Sequence, residues 1–147
     1  MGMVDTTHKG ITKRRAIASA VIKMNKKAFA ALAGKASPKG DVLATAQVAG
    51  VLAAKNTPSI IPMCHPLELG KVDVQFKLNK NKNTVTTIVD VVYTGRTGVE
   101  MEAMVAAAAA SLTIYDMLKW ADRGMVVAEV KLLHKSGGKS GTYARAQ

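Results

Sequence analysis

Cysteine is almost missing from this chain: Cys64 is the only one in 147 residues. No disulfide can form within the chain, and nothing in the sequence points to an oxidising compartment. Aromatic residues are also scarce, at 4%. The core must therefore be built from aliphatic side chains and alanine, and there are few stacking platforms for single-stranded nucleic acid. No apolar run approaches the ~20 residues of a membrane span. The polar start, residues 1–10, lacks the apolar stretch of a signal peptide. A soluble, cytoplasmic chain without a membrane partner is expected. Acid is short as well: 10 acidic residues stand against 21 basic ones, a net charge of +11. Such a field attracts polyanions, so nucleic acid, an anionic membrane or a nucleotide triphosphate all meet it, as does a merely solvated basic surface.

What is present fits one compact domain over 1–147, without internal repeats or a long linker. Ala16, Ala18, Ala20 and Ile22 alternate, so residues 15–23 read as a strand rather than a helix. Asn25 can cap a short helix that ends at Gly34. Ser37-Pro38-Lys39-Gly40 is a turn. Asp41 opens a helix to about Lys55, ended by Asn56 and Pro58. Val72, Val74, Phe76 and Leu78 alternate with polar residues, a half-buried strand. A polar turn over 79–83 leads to a second strand over 84–94, completing a hairpin. After the Gly95-Arg96-Thr97-Gly98 loop comes a long helix from Val99 to about Trp120, rich in good helix formers. Val126, Ala128, Val130 and Leu132 form a last strand, followed by a glycine-rich basic tail over 135–147. The order is the split β-α-β-β-α-β of an α+β, ferredoxin-like sandwich, with helices covering one face of an antiparallel sheet.

Several segments carry polar groups that a purely structural stretch does not need. Asp116 and Lys119 share a helix face. Glu102 points near the same face, but 14 residues at ~1.5 Å each put it about 21 Å away. One helix cannot bring both to a small reacting centre, so a site using both is either long or shared between subunits. The Pro62-Met63-Cys64-His65-Pro66 loop is stiffened by a proline at each end. Lys39 precedes a helix N-terminus, where free amides favour anions. Lys135-Ser136-Gly137-Gly138-Lys139-Ser140-Gly141 offers converging amides and two lysines to a phosphate, though it is not a Walker A loop. Read singly, each has an ordinary explanation: a surface ion pair, acids at a helix N-terminus, a packed thiol, a solvated turn, a frayed end. Zinc is not expected, since one cysteine and three scattered histidines do not make a four-ligand set.

Taken together, the segments are more specific. Met3-Val4-Asp5, Lys39-Gly40-Asp41-Val42, Ala49-Gly50, Ala53-Ala54-Lys55, Ile61-Pro62-Met63-Cys64-His65-Pro66-Leu67, Thr97-Gly98-Val99-Glu100-Met101-Glu102-Ala103, Leu112-Thr113-Ile114-Tyr115-Asp116-Met117 and the 135–141 stretch resemble, in order and spacing, the molybdenum cofactor biosynthesis protein C family, the cyclic pyranopterin monophosphate synthases. The resemblance covers about Met3 to Gly141. It implies conversion of a cyclised dihydro-GTP into cyclic pyranopterin monophosphate with release of pyrophosphate. It also implies a ferredoxin-like fold and a homo-oligomer, a hexamer built as a trimer of dimers with sites at subunit interfaces.

Carried over by position, the resemblance implies that Asp116 is the catalytic aspartate, Lys119 an acid–base lysine and Lys39 a second lysine needed for turnover. Met63, Cys64, His65, Met101 and Glu102 match substrate contacts, Glu100 and Arg14 line the site, and Lys135 and Lys139 in the tail serve the triphosphate. It implies no required cofactor and no metal ligands, with room for magnesium accompanying the triphosphate. Two positions depart from the family pattern: Gln47 stands where arginine is common, and Met63 where leucine is usual. The competing expectations are a basic nucleic-acid-binding module, against which the few aromatics and missing recognition motifs speak, and an inactive relative serving in assembly, against which Asp116, Lys119, Lys39 and His65 speak.

Overall fold

Alternation along the chain produces the sheet. In the computed structural model, which describes residues 1–146, the first alternating stretch is strand β1 (Thr12–Lys23). Ala16, Ala18, Ala20 and Ile22 on one of its faces are fully buried. Small side chains at three of those four positions let a helix lie close over the strand. The last residue of the basic tail, Gln147, lies outside the described residues. Helix α1 (Lys26–Ala33) begins where the Asn25 side chain accepts the Ala28 amide at 2.9 Å. Helix α2 (Val42–Lys55) begins in the same way, with Asp41 accepting the Ala44 amide at 3.0 Å. Both caps satisfy an amide that the helix itself cannot.

The chain does not stay irregular after Asn56. A four-residue helix, α3 (Thr57–Ile60), follows at once, with Pro58 in its first turn, where a missing N–H costs nothing. Strands β2 (Lys71–Asn79) and β3 (Thr84–Gly95) make the expected hairpin. Helix α4 (Glu100–Leu118) is followed by β4 (Val126–Ser136) and a two-residue β5 (Tyr143–Ala144).

All neighbouring strands are antiparallel, in the order β2-β3-β1-β4-β5. With the helices on one face, this is the ferredoxin-like α+β sandwich. The first strand starts three residues earlier than its alternation suggested. The last strand runs four residues further, and β5 folds back to pair with His134 and Lys135. The basic tail is thus docked on the sheet edge rather than frayed.

Helix α4 lies over β1 and β3, beside α2. A Cβ on Gly50 would meet Val74 Cγ2 at 3.2 Å, the Ala106 carbonyl at 3.4 Å and Ala110 Cβ at 3.5 Å, so α2 seats against both α4 and the sheet through a glycine. By length and composition α4 is apolar enough to cross a membrane, with a mean hydropathy of 1.3, but half of that stretch is buried in the fold. Its apolarity comes from the alanine run, which packs on the sheet.

Candidate functional site

Helix α4 carries a polar group at each end, and the two ends meet different parts of the chain. At its C-terminal end, Asp116 receives a lysine on each carboxylate oxygen. Lys119 Nζ lies 2.7 Å from Oδ1 and Lys39 Nζ 2.7 Å from Oδ2. Lys39 also donates to the Asp116 carbonyl at 3.2 Å. The turn that bears Lys39 is tied to the helix through Ser37, whose hydroxyl donates to the Met117 carbonyl and accepts the Lys39 amide, both at 3.2 Å. All three charged side chains are about half exposed, between 46% and 53%. The ammonium groups of Lys119 and then Lys39 hold the Asp116 carboxyl down at about 2. The trio is a fixed, solvent-facing carboxylate flanked by two proton donors.

At the N-terminal end, Glu102 points inward and only 3% of it is exposed. Burial, and secondarily the charge of Glu100, pushes its carboxyl above the usual range. The stiff loop between Pro62 and Pro66 lies against it. Cys64, His65, Met63, Met101 and Glu102 line a pocket of about 310 Å³. The Cys64 thiol is raised by burial and by the Glu102 charge, so it is not an activated nucleophile.

Next to this pocket is a larger, basic one of about 530 Å³, lined by Arg14, Lys135, Lys139 and the glycine turn of the tail. Arg14 is buried on the helix-facing side of β1 and donates to the Gly95 carbonyl at 3.3 Å. Gly137 and Gly138 have φ of +92° and +78°, and a Cβ on the second would strike the Arg14 guanidinium. Glycine is therefore required twice over, by backbone conformation and by contact. Lys135 reaches Glu100 at 3.6 Å and also donates to the Ser140 hydroxyl.

The residues singled out from the sequence therefore gather into two groups. Met63, Cys64, His65, Met101, Glu102, Glu100, Arg14, Lys135 and Lys139 line two adjoining pockets. Asp116, Lys119 and Lys39 form a separate cluster at the far end of α4. Among the described residues no three His, Cys, Asp or Glu side chains gather to hold a metal ion. Gln47 donates to the Val74 carbonyl at 3.1 Å, so in place of a charged group it ties α2 to β2.

Sequence reasoning missed Lys9 and Arg96, which line the basic pocket together with Arg14. The available signal was Asp5-Thr6-Thr7. The Asp5 carboxylate accepts the Thr7 amide at 2.9 Å and its hydroxyl at 2.7 Å, a local turn that shapes the arm ahead of Lys9.

The family model described as the MoaC family matches residues 3–138. Among curated proteins, the cyclic pyranopterin monophosphate synthase of Staphylococcus haemolyticus (strain JCSC1435) is 52% identical, across 97% of this chain and 91% of its own length. The synthase of the same name from Listeria monocytogenes serovar 1/2a is 52% identical, over 96% of this chain and 88% of its own length. That of Staphylococcus aureus (strain MSSA476) is 51% identical, over 97% and 89%. A family match that takes in the Glu102 pocket, most of the basic pocket and the Lys39–Asp116–Lys119 cluster, beside relatives at this identity, leaves one conclusion: the chain belongs to the MoaC family.

Proposed function

We propose that this chain is a cyclic pyranopterin monophosphate synthase, acting early in molybdenum cofactor biosynthesis on a cyclised dihydro-GTP. The observation that carries this reading is the end-to-end likeness to proteins of that name. The geometry supplies what the conversion needs. Opening and rebuilding a ring system moves protons at several atoms, and Lys39 and Lys119 present ammonium groups held in place by one carboxylate. Asp116 is the positioning anion, ionised at any working pH.

In the closing step a hydroxyl oxygen bonds to the α-phosphorus, the bond from that phosphorus to the bridging oxygen breaks, and pyrophosphate leaves. The hydroxyl proton passes to a lysine that has already given its own proton to the opening ring and is left as a neutral amine. Charge that develops on the departing phosphates needs fixed cations and amides. Arg14, Lys135, Lys139 and the Gly137–Gly138 turn supply them. No resident cofactor enters this scheme, and any magnesium arrives with the triphosphate as part of the substrate.

The Lys39–Asp116–Lys119 cluster and the two pockets lie about 21 Å apart along α4. One site is completed when the cluster of one subunit meets the pockets of another, in a hexamer built as a trimer of dimers. The protein works as a soluble cytoplasmic enzyme in this reading.

The test is incubation of the purified protein with the cyclised dihydro-GTP, with mass detection of the pterin product and assay of pyrophosphate. Both products are expected from the natural chain, and neither from folded Lys119→Ala or Lys39→Ala. No product from a well-folded natural oligomer would refute the reading. Near-normal product from either variant would remove that lysine from the chemistry.

A further inference from the structure

The basic tail folds back on β4 at an irregularity in that strand. The ladder between β1 and β4 passes from the Ile17–His134 pair to the Ala18–Leu132 pair, so Leu133 is a bulge with no partner on β1. At that point Arg145 takes two consecutive carbonyls of β4. Its amide donates to the Leu133 carbonyl at 2.9 Å and its Nε to the Leu132 carbonyl at 2.8 Å. Consecutive carbonyls of a regular strand face opposite edges, and the bulge lets one residue take both. The Arg145 charge also acts on Glu129, whose carboxyl is lowered chiefly by Lys131 and to a smaller degree by Lys23 and Arg145. With the His134–Ala144 and Lys135–Tyr143 pairs of β5, these bonds form a clasp on the sheet edge.

The clasp closes a loop that the basic pocket uses. Residues 136–140 line that pocket, and the chain must return from them to β5. Gly137 and Gly138 rest on Lys13 and Arg14, but Lys139, Ser140, Gly141 and Thr142 are exposed. Among the described residues, this exposed part makes a hydrogen bond within the loop, from the Gly141 amide to the Gly138 carbonyl at 3.2 Å, and accepts the Lys135 ammonium on the Ser140 hydroxyl. Its far end is held through β5 and Arg145. A loop fixed before an anion arrives loses less freedom when the anion binds. The family match ends at residue 138, ahead of the whole clasp. We propose that Arg145 is a positioning residue for phosphate binding: it keeps the 136–142 loop closed, so that Lys139 and the Gly137–Gly138 turn are set before the anion enters. The assignment rests on the reading of this pocket as the seat of a triphosphate, but it is tested without turnover.

The test compares the full-length natural chain with Arg145→Pro, which loses both the amide and the side-chain donor, and with Arg145→Lys, which keeps an amide and a charge. Strand β5 is exposed, so the core does not depend on it, and thermal melting confirms that each variant is folded. Hydrogen exchange reads the clasp, and calorimetric titration with inorganic tripolyphosphate reads the pocket. Arg145→Pro should speed exchange over 137–145 and weaken tripolyphosphate roughly tenfold, with Arg145→Lys within about twofold of the natural chain. In turnover the loss should be read in KM rather than in kcat. Lys80→Gln removes one exposed charge from the turn between β2 and β3 and should bind like the natural chain. An equal loss in Lys80→Gln would make the effect one of net charge and overturn the assignment. Unchanged binding in Arg145→Pro also overturns it, as does weaker binding without faster exchange, or a natural chain that does not bind tripolyphosphate. A natural chain that binds through the clasp yet forms no pterin product keeps the assignment and removes the proposed reaction. Full turnover with unchanged KM in Arg145→Pro does the reverse.

Discussion

Asp116 and Glu102 stand on the same helix and are driven in opposite directions. Asp116 is open to solvent, yet the two lysines on its oxygens keep it ionised down to about 2. Glu102 has no such cation and is buried, so its neutral form is favoured above the ordinary 4.5. The signs for stability differ accordingly. Asp116, with its folded pKa lowered, adds stability that is present above about 3.8 and is lost as pH falls towards 2. Glu102, with its folded pKa raised, adds stability that is present below 4.5 and is lost as pH rises through the folded value. Glu102→Gln removes the buried charge and should raise Tm at neutral pH by about 2–4 °C, roughly 1 kcal/mol for a chain of this size. That gain should shrink to nothing as pH approaches 4.5 from above. Thermal melting across pH measures it, and an unchanged or lower Tm at neutral pH would show that Glu102 is ionised at no cost. The types of both residues were legible in the sequence, and so was the pairing of Asp116 with Lys119, because three residues along a helix is a local relation. The arrival of Lys39 on the same carboxylate was not, since it comes from a turn 77 positions away.

Strands and helices were legible wherever a period ran long enough. The alternation of β1, β2 and β3 and the long alanine-rich stretch of α4 each appear in the structure within a few residues. What was hidden came from pairing rather than pattern. Strand β4 continues to Ser136 because β1 offers it a partner up to Arg15, and β5 exists only because His134 and Lys135 are there to pair with. The glycines after Ser136 read from the sequence either as a cradle for phosphate or as a frayed end, and in the fold they turn the chain tightly over Arg14. The small helix α3 was hidden because its proline was read only as a terminator. The junction of α2 with α4 gives a prediction at this scale. Gly50 has Val74, Ala106 and Ala110 within 3.2–3.5 Å of where a Cβ would stand. Gly50→Val adds two methyl groups beyond that Cβ and should force the helices apart, costing about 1–3 kcal/mol in urea denaturation. A midpoint unchanged from the natural chain would show that α2 can slide outward freely.

For the molecule as a whole, a charge of +11 is not by itself a function, but the fold gives part of it a place. Arg14, Lys135, Lys139, Lys9 and Arg96 converge on one pocket, at the opposite end of α4 from the Lys39–Asp116–Lys119 cluster. On the proposed reading, neither end alone serves a reaction that both handles a ring system and expels pyrophosphate. The outer surface of the helix layer also exposes Val48, Leu52 and Leu112, apolar groups suited to meeting another subunit. A site shared between two copies predicts complementation. His65→Ala and Lys119→Ala should each be inactive alone, one spoiling the pocket end and the other the lysine end. In a twofold pairing of one variant with the other, both lesions fall in one site and the second site is intact. Random mixing by co-refolding or co-expression should therefore restore about a quarter of the natural activity, since half the pairs are mixed and each has one whole site of two. Mass measurement should find the mixed species as oligomers. If mixing restores nothing while subunits demonstrably exchange, the two ends of α4 do not serve a common site, and each pocket has to be explained within a single chain.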